Sequence, residues 1–452
     1  VSPDPFRRMV SAGRHRGILE EVTPMRKRLA LVLATLAALP VLAGQPAAPK
    51  TPANPFFTEW TTPFGVPPFD QIKNEDYLPA IREGIARQRQ EVEAIAKNPE
   101  SPSFANTIEA LESSGELLDR ARVVFFGQLS AETNDTLQAI SKEVAPMLSA
   151  MRDDILLNEA LFRRVKAIYE QRQTLKLAPE QGRLVEETYK EFVRGGANLT
   201  AAQKERLRAI NKDLSLLGLK FGDNVLKETN AFKLIVGKHD DLAGLPDALV
   251  AAAAQTAKTA GLDGKWVFTL QAPSIWPFLQ SAGNRALREQ ILKAYVSRGD
   301  HNDASDNKAV LSKIVALRVE KAQLLGYKTW AAFVLDDNMA KTPDRVYGLL
   351  DQIWKPALAV AKKEAADQQA LITAEGGDFG LEPWDWRYYS EKVRRARYEF
   401  DDQALRPYFK VDNVRDGAFY VANRLYGITF TERTDIPRYN PEVRTFEVKD
   451  RD

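Results

Sequence analysis

The sequence predicts a mainly α protein of long antiparallel helices interrupted by one small α+β insertion. Three observations carry that expectation. Apolar residues recur at helical spacing through most of the chain, as in Ile108, Leu111, Leu118, Phe125 and Leu129. Polar residues suited to capping stand before such stripes, Thr200 with Gln203 being the clearest pair. One central window, residues 231–270, instead carries the β-rich runs NAFKLIV and GKWVFTL. With 452 residues and 44% apolar content the chain can bury a large core.

The elements follow in order. Residues 1–24 read as an extension produced by a start assigned too far upstream, which removes His15 from consideration. Residues 25–43 read as a secretory signal: Arg26, Lys27 and Arg28 lead an apolar run from Leu29 to Leu42, and Val41 and Ala43 stand at the cleavage positions. That run is shorter than the roughly 20 residues that span a bilayer, so export rather than anchoring is expected, to the periplasm in a Gram-negative source, with no membrane attachment after cleavage. Residues 44–68 read as a Pro-rich linker and residues 69–230 as a helical region. Within it Phe104 to Leu129 is expected as one long helix, and Thr200 opens another with Leu207, Ile210, Leu214, Leu217 and Phe221 along its stripe.

Residues 231–270 form the insertion, with a short helix expected near Pro246 to Ala260. Helical periodicity resumes in residues 271–452, through Val310 to Leu325, Val346 to Ile372, Tyr388 to Phe400 and Val414 to Leu425. No fixed repeat of the length used by helical solenoids is present. At the end, Val443, Thr445 or Phe446 and Val448 alternate with polar neighbours as in a strand, and Lys449 to Asp452 reads as turn material leading to a partner that does not follow. The expectation is a chain truncated at its C-terminus, with that strand an unpaired edge and the helices at 388–400 and 414–425 presenting apolar surface.

Composition excludes several functions. The 63 basic and 61 acidic residues are spread along the chain, giving a formal charge of +2, which argues against nucleic acid as a partner. With no cysteine there is no disulfide, thiolate metal site or Cys nucleophile. There is no H-E-x-x-H, G-x-S-x-G, G-x-x-x-x-G-K-[ST] or G-x-G-x-x-G pattern. His239, beside Asp240 and Asp241, and His301, in GDHNDASDN, both read as solvated loop residues; the latter loop lacks the glycine and terminal glutamate of a calcium loop. No residue of this chain is assigned to catalysis or to a metal.

The densest informative stretch is LEPWDWRYYSEKVRRARYEFDDQALRPYF, Leu381 to Phe409. Trp384, Trp386, Tyr388 and Tyr389 are candidates for the wall of a substrate channel, able to stack on a sugar or line a peptide cleft, with Asp385 or Glu391 as polar handles. Core packing is the competing role. Lys392, Arg394, Arg395 and Arg397 form either a phosphate patch or, with Glu399, Asp401 and Asp402, a self-paired solvated face, and the second is favoured.

This stretch, with VRDGAFYVANRLYGITFTE after it, resembles the M3, thimet-oligopeptidase-like metallopeptidases. So do NPFFTEWTTPFGVPPFDQIKNEDYLPAIREGI, NPESPSFANTIEALESSGELLDR and DNKAVLSKIVALRVEKAQLLGYKTWAAFVLDDNMAKTP, in the family's order, so that the resemblance runs from Asn54 to Asp452. It implies a helical, two-lobed, channel-forming architecture and a zinc held by the two histidines of H-E-x-x-H plus a later glutamate, the motif's glutamate taking a proton from the attacking water. It implies peptide substrates and peptidyl-dipeptidase activity, the release of dipeptides from peptide C-termini. The family's motif lies beyond the point matched by Asp452, so zinc is expected for the intact member and none for this chain alone, which is expected to be inactive and to have as a partner, where one exists, a separately encoded C-terminal half. Two other readings stand beside this: a non-catalytic helical peptide-binding or scaffold module, and a secreted carbohydrate enzyme using Trp384, Trp386 and Tyr388 for stacking and an acidic pair for acid–base work.

Overall fold

Asn54 accepts a hydrogen bond from the Phe56 amide and so caps a 3-10 turn, Pro55–Phe57. The computed structural model describes residues 54–398, 402–405 and 407–451. The turn drives Phe56 to complete burial, its ring centroid 5.9 Å from Trp60 and 5.5 Å from Tyr77. The linker expected over 44–68 is corrected from residue 54 onward, because an aromatic ring that can be buried is worth more in the core than in a solvated tether. The rest of that linker, the extension 1–24 and the signal at 25–43 lie outside the described residues.

Helix α1, Asn74–Ala96, buries Tyr77, Ile81, Ile85, Val92 and Ile95 on one stripe. The expected single helix from Phe104 to Leu129 is corrected to three pieces. Residues Phe104–Glu109 wind as a wide π-type turn capped by Ser103, α2 is the short run Ala110–Glu112, and α3 spans Glu116–Ala131. The break lies at Gly115, whose φ of 84° suits glycine and whose missing Cβ leaves room for the Gln88 side chain. An apolar stripe survives such a break, which is why periodicity did not report it. Helix α3 lies against α1, and α4, Asp135–Leu156, joins them, so that Phe125, Leu118, Leu137 and Val144 share a core with Phe56 and Tyr77. Close approach of α1 to α3 rests on Gly84, where a Cβ would stand 2.7 Å from the Leu118 Cα.

Helices α5, Glu159–Gln171, and α6, Pro179–Arg194, pack together around Phe162, Phe192 and Val185. Helix α7, Ala201–Ala231, starts where Thr200 and Gln203 close a capping box, the Gln203 amide donating to Thr200 Oγ1 at 3.4 Å and the Thr200 amide to Gln203 Oε1 at 3.0 Å. Of its expected stripe, Leu207 and Ile210 are buried and Leu214, Leu217 and Phe221 are half-buried against α4 and a later helix. Thr200→Ala is expected to lower stability by about 1 kcal/mol, the usual cost of losing an N-cap. Urea unfolding of both forms checks this; an unchanged midpoint would mean that packing alone sets the helix start.

The insertion is present as expected. Strand β1, Leu234–Val236, pairs antiparallel with β2, Trp266–Phe268, in the register Leu234 to Phe268 and Val236 to Trp266, and α8, Asp247–Thr259, lies between them in sequence. Its core, including Leu234, Val236 and Phe268, is closed by Ile275 and Phe278 of α9, Ala272–Ser281, and Ile291 of α10, Arg285–Val296. Next come α11, Lys308–Leu324, which packs on α7, the short α12, Trp330–Leu335, and the 32-residue α13, Pro343–Ala374. Helix α14, Pro383–Tyr398, packs on α9, α10 and α13. After it stand α15, Asp402–Leu405, and α16, Val411–Tyr426.

The terminal strand corrects another expectation. Strand β4, Thr445–Lys449, is paired antiparallel with β3, Thr429–Arg433, which precedes it in the chain. Phe430 of β3 and Phe446 of β4 both meet Phe419 of α16, with centroids at 4.0 and 5.1 Å, so the sheet is aligned by a shared aromatic contact. The complement of the terminal strand is TFTER, upstream, because an antiparallel partner can precede its strand as well as follow it. The fold is thus mainly α with two small antiparallel sheets. The described residues form one compact unit. Among the described residues no helix is long and apolar enough to cross a membrane.

Candidate functional site

The aromatic stretch falls on the first turns of α14. Successive residues turn by about 100°, which sets Trp384 beside Tyr388 and Trp386 beside Tyr389, so the packing of neighbouring helices, and not the period of α14, decides which of the four share a wall. Trp384 and Trp386 line an indentation of about 680 Å³ between α9, α10 and α14. Tyr389 is buried, 6% exposed, and Tyr388 is half-buried, with the Arg288 guanidinium 4.1 Å from its ring centroid and the Lys392 ammonium 4.7 Å away. The structure therefore brings together the two tryptophans and places the two tyrosines elsewhere.

The groove is mostly apolar. Trp276 and Leu279 of α9 and Leu292, Tyr295 and Val296 of α10 face the two tryptophans. Trp276 and Tyr295 meet edge to face at 4.9 Å, and the Arg387 guanidinium lies 4.3 Å from the Trp276 ring centroid. Trp276, Tyr295 and Arg387 were missed by the sequence reading. Trp276 sits in a ten-residue helix more than a hundred positions upstream, and only the order of packing joins it to Trp386. Glu382 and Arg387 are the charged residues on this groove. It offers contact area and a cation, the equipment of a binding wall, and no nucleophile paired with a base.

Neither expected polar handle is available to a ligand. Asp385 is fully buried and receives Arg285 Nη2 at 2.8 Å and Arg288 Nη2 at 2.7 Å, while the Glu382 amide donates to its Oδ2 at 3.2 Å. It therefore caps its own helix and anchors that helix to α10. Glu391 is held by Arg394 at 2.8 Å and Arg395 at 2.7 Å, with Gln280 at 3.3 Å. Its pKa is lowered to about 2, chiefly by the Arg394 hydrogen bond, working against the effect of burial. The cations Lys392 and Arg397 reach Glu375 and Asp367 across to α13 and its C-terminal end, so the basic face is paired, with partners other than the downstream acids expected. Of those, Glu399 and Asp401 lie outside the described residues.

The two described histidines do not meet a metal set. His301 Nδ1 is 3.0 Å from Glu228 Oε2 and its Nε2 is 3.1 Å from Ser297 Oγ. His239 is exposed, its ring meeting Trp266 at 5.9 Å. In the acidic loop around His301, Asp306 accepts from the Asn302 and Lys308 amides and pairs with Lys308 Nζ at 2.6 Å. The Lys308 side chain is the largest influence holding its pKa at about 2. That carboxylate organises a turn around a lysine. Among the described residues no three His, Cys, Asp or Glu side chains gather as a metal site. The described residues do not fit the zinc that the resemblance implies.

Comparison with known proteins bears on the whole chain. The sequence profile of Peptidase family M3 matches residues 278–452, the segment that carries α10 to α16 and the Trp384–Trp386 wall. The chain is 41% identical over 401 residues to the dipeptidyl carboxypeptidase of Escherichia coli, covering 88% of this chain and 59% of that protein. It is 33% identical over 401 residues to oligopeptidase A of Salmonella typhimurium, covering 88% of this chain and 58% of that protein. It is also 33% identical over 404 residues to a probable cytosolic oligopeptidase A of Arabidopsis thaliana, covering 86% and 56% respectively. The chain thus spans less than two thirds of the length of these relatives. The chain is thus similar to Peptidase family M3 over the profile-matched segment and to these peptidases back through the helices that precede it.

Proposed function

We propose that this chain forms part of an exported zinc metallopeptidase that releases dipeptides from peptide C-termini, and that the zinc ligands and the catalytic glutamate reside in polypeptide outside these 452 residues. The observation that carries the reading is the 41% identity over 401 residues to a dipeptidyl carboxypeptidase. The lack of H-E-x-x-H in the sequence supports its second half. In this reading Trp384 and Trp386 contribute contact surface to a peptide, and no step of the chemistry belongs to the residues present. Export rests on the signal at residues 25–43.

The expected result for the purified 452-residue chain is less than stoichiometric zinc by elemental analysis and no dipeptide release from an N-terminally blocked peptide, read by mass spectrometry. Chelator-sensitive release by this chain alone would overturn the proposal. A second reading, a non-catalytic peptide-binding module, is favoured by one feature, the apolar groove without acid–base equipment. It predicts peptide affinity that persists without turnover even when the remaining M3 sequence is supplied.

A further inference from the structure

Helix α13 carries one apolar stripe along its whole length, and only half of it is covered. Tyr347, Leu350, Trp354, Leu358, Ala361, Ala365, Gln368 and Ile372 follow steps of 3, 4, 4, 3, 4, 3 and 4, which places them within an arc of roughly 80°. In the C-terminal half the stripe lies against α14: Ile372 is fully buried, Gln368 is 2% exposed, and the Gln368 amide donates to Ser390 Oγ at 3.1 Å. In the N-terminal half the same stripe is bare, with Tyr347 and Trp354 each 64% exposed and Leu350 50%. The bare stretch from Tyr347 to Leu358 is about 17 Å long, three turns of helix.

Helix α16 carries a second stripe, bare throughout. Val411, Val414, Ala418, Val421 and Leu425 follow steps of 3, 4, 3 and 4, and every one of them is exposed, Val411 and Leu425 most of all. Its inward contact is Phe419 on the sheet of β3 and β4. Stripes with this spacing are the seams by which helices pack on helices, and unbroken apolar area on this scale marks an interface.

We infer that the bare half of the α13 seam and the bare seam of α16 seat helices of the polypeptide that makes up the remaining two fifths of the relatives' length, an inference that rests on the reading given under Proposed function. Two observations select that occupant. The α13 seam is continuous with an interface inside the chain, the one with α14, so its bare half extends an intramolecular packing surface rather than starting a separate patch. And the chain accounts for 59% of the Escherichia coli relative, leaving a length of sequence well able to cover both seams. This occupant also supplies what the present residues lack, a place for the zinc ligands.

The test co-expresses the 452-residue chain with the part of the Escherichia coli dipeptidyl carboxypeptidase that lies outside the 401 matched residues. A one-to-one complex is expected on size exclusion with light scattering. The double substitution Trp354→Glu with Leu358→Glu, and separately Val414→Glu with Val421→Glu, should each weaken association tenfold or more. Both pairs are surface changes, so the circular dichroism and melting of the chain alone should not move. No complex, a complex indifferent to both pairs, or self-association of the chain that either pair abolishes would each overturn the inference, the last in favour of a second copy as occupant. Dipeptide release is scored separately: a complex that forms and is sensitive to the substitutions yet releases no dipeptide sinks the functional reading and leaves the seam assignment standing.

Discussion

Asp385→Ala is expected to destabilise the protein by about 3–5 kcal/mol, the range for breaking a buried ion pair from one side. The reason is what remains. Arg288 is 1% exposed and keeps its hydrogen bonds to the carbonyls of Ala282 at 2.8 Å and Trp384 at 3.2 Å, but its buried charge would lose its carboxylate. Arg285 is about one third exposed on its side chain and can be resolvated, so it adds little to the loss. The same change removes the acceptor for the Glu382 amide at the start of α14. Replacing both ends, Asp385→Leu with Arg288→Met, should recover a large part of the loss, since apolar groups of similar volume need no countercharge. Urea unfolding of the two variants beside the unaltered chain measures this; a loss below about 1 kcal/mol for the single change Asp385→Ala would show that the arginine finds another partner and that Asp385 is no anchor.

How much of this could be read beforehand follows from the range of the forces involved. Signals that act within a few residues were legible: the Thr200 and Gln203 box, the β texture on either side of α8, and the helical stretches near Val346 to Ile372 and Val414 to Leu425. Where one residue's backbone decides, the stripe was silent, as at Gly115, because apolar spacing resumes in phase after the turn. Where partners come from afar, sequence order misled. Strand β4 pairs upstream with β3, and Trp386 is joined to Trp276 by packing of α14 on α9. The four aromatics were a cluster in sequence and not in space, and the helical period alone could not sort them: it sets Trp386 beside Tyr389 and Trp384 beside Tyr388, whereas the two tryptophans share a groove because α9 and α10 pack around the start of α14. The charged residues beside them were read as handles; Asp385 became an anchor because two arginines about a hundred positions upstream converge on it.

Phe125→Ala is expected to cost about 3–5 kcal/mol, the usual loss for a large aromatic removed from a close-packed core. Phe125 is fully buried in the cluster that unites α1, α3 and α4 with the Pro55–Phe57 turn, its ring 5.4 Å from Tyr77 and 5.1 Å from Phe126. Its neighbours cannot close the gap, because Gly84 already holds α1 and α3 at the limit of approach, so the removed ring leaves a cavity. Trp354→Ala makes the useful contrast. It deletes a larger ring, yet that ring is 64% exposed on the bare seam of α13, and the isolated chain should lose well under 1 kcal/mol. Chemical denaturation of the two variants side by side therefore measures whether an aromatic has its partner within these residues. Equal losses would mean that Trp354 is already covered in solution, and an unchanged midpoint for Phe125→Ala would mean that the α1, α3 and α4 core repacks around the gap.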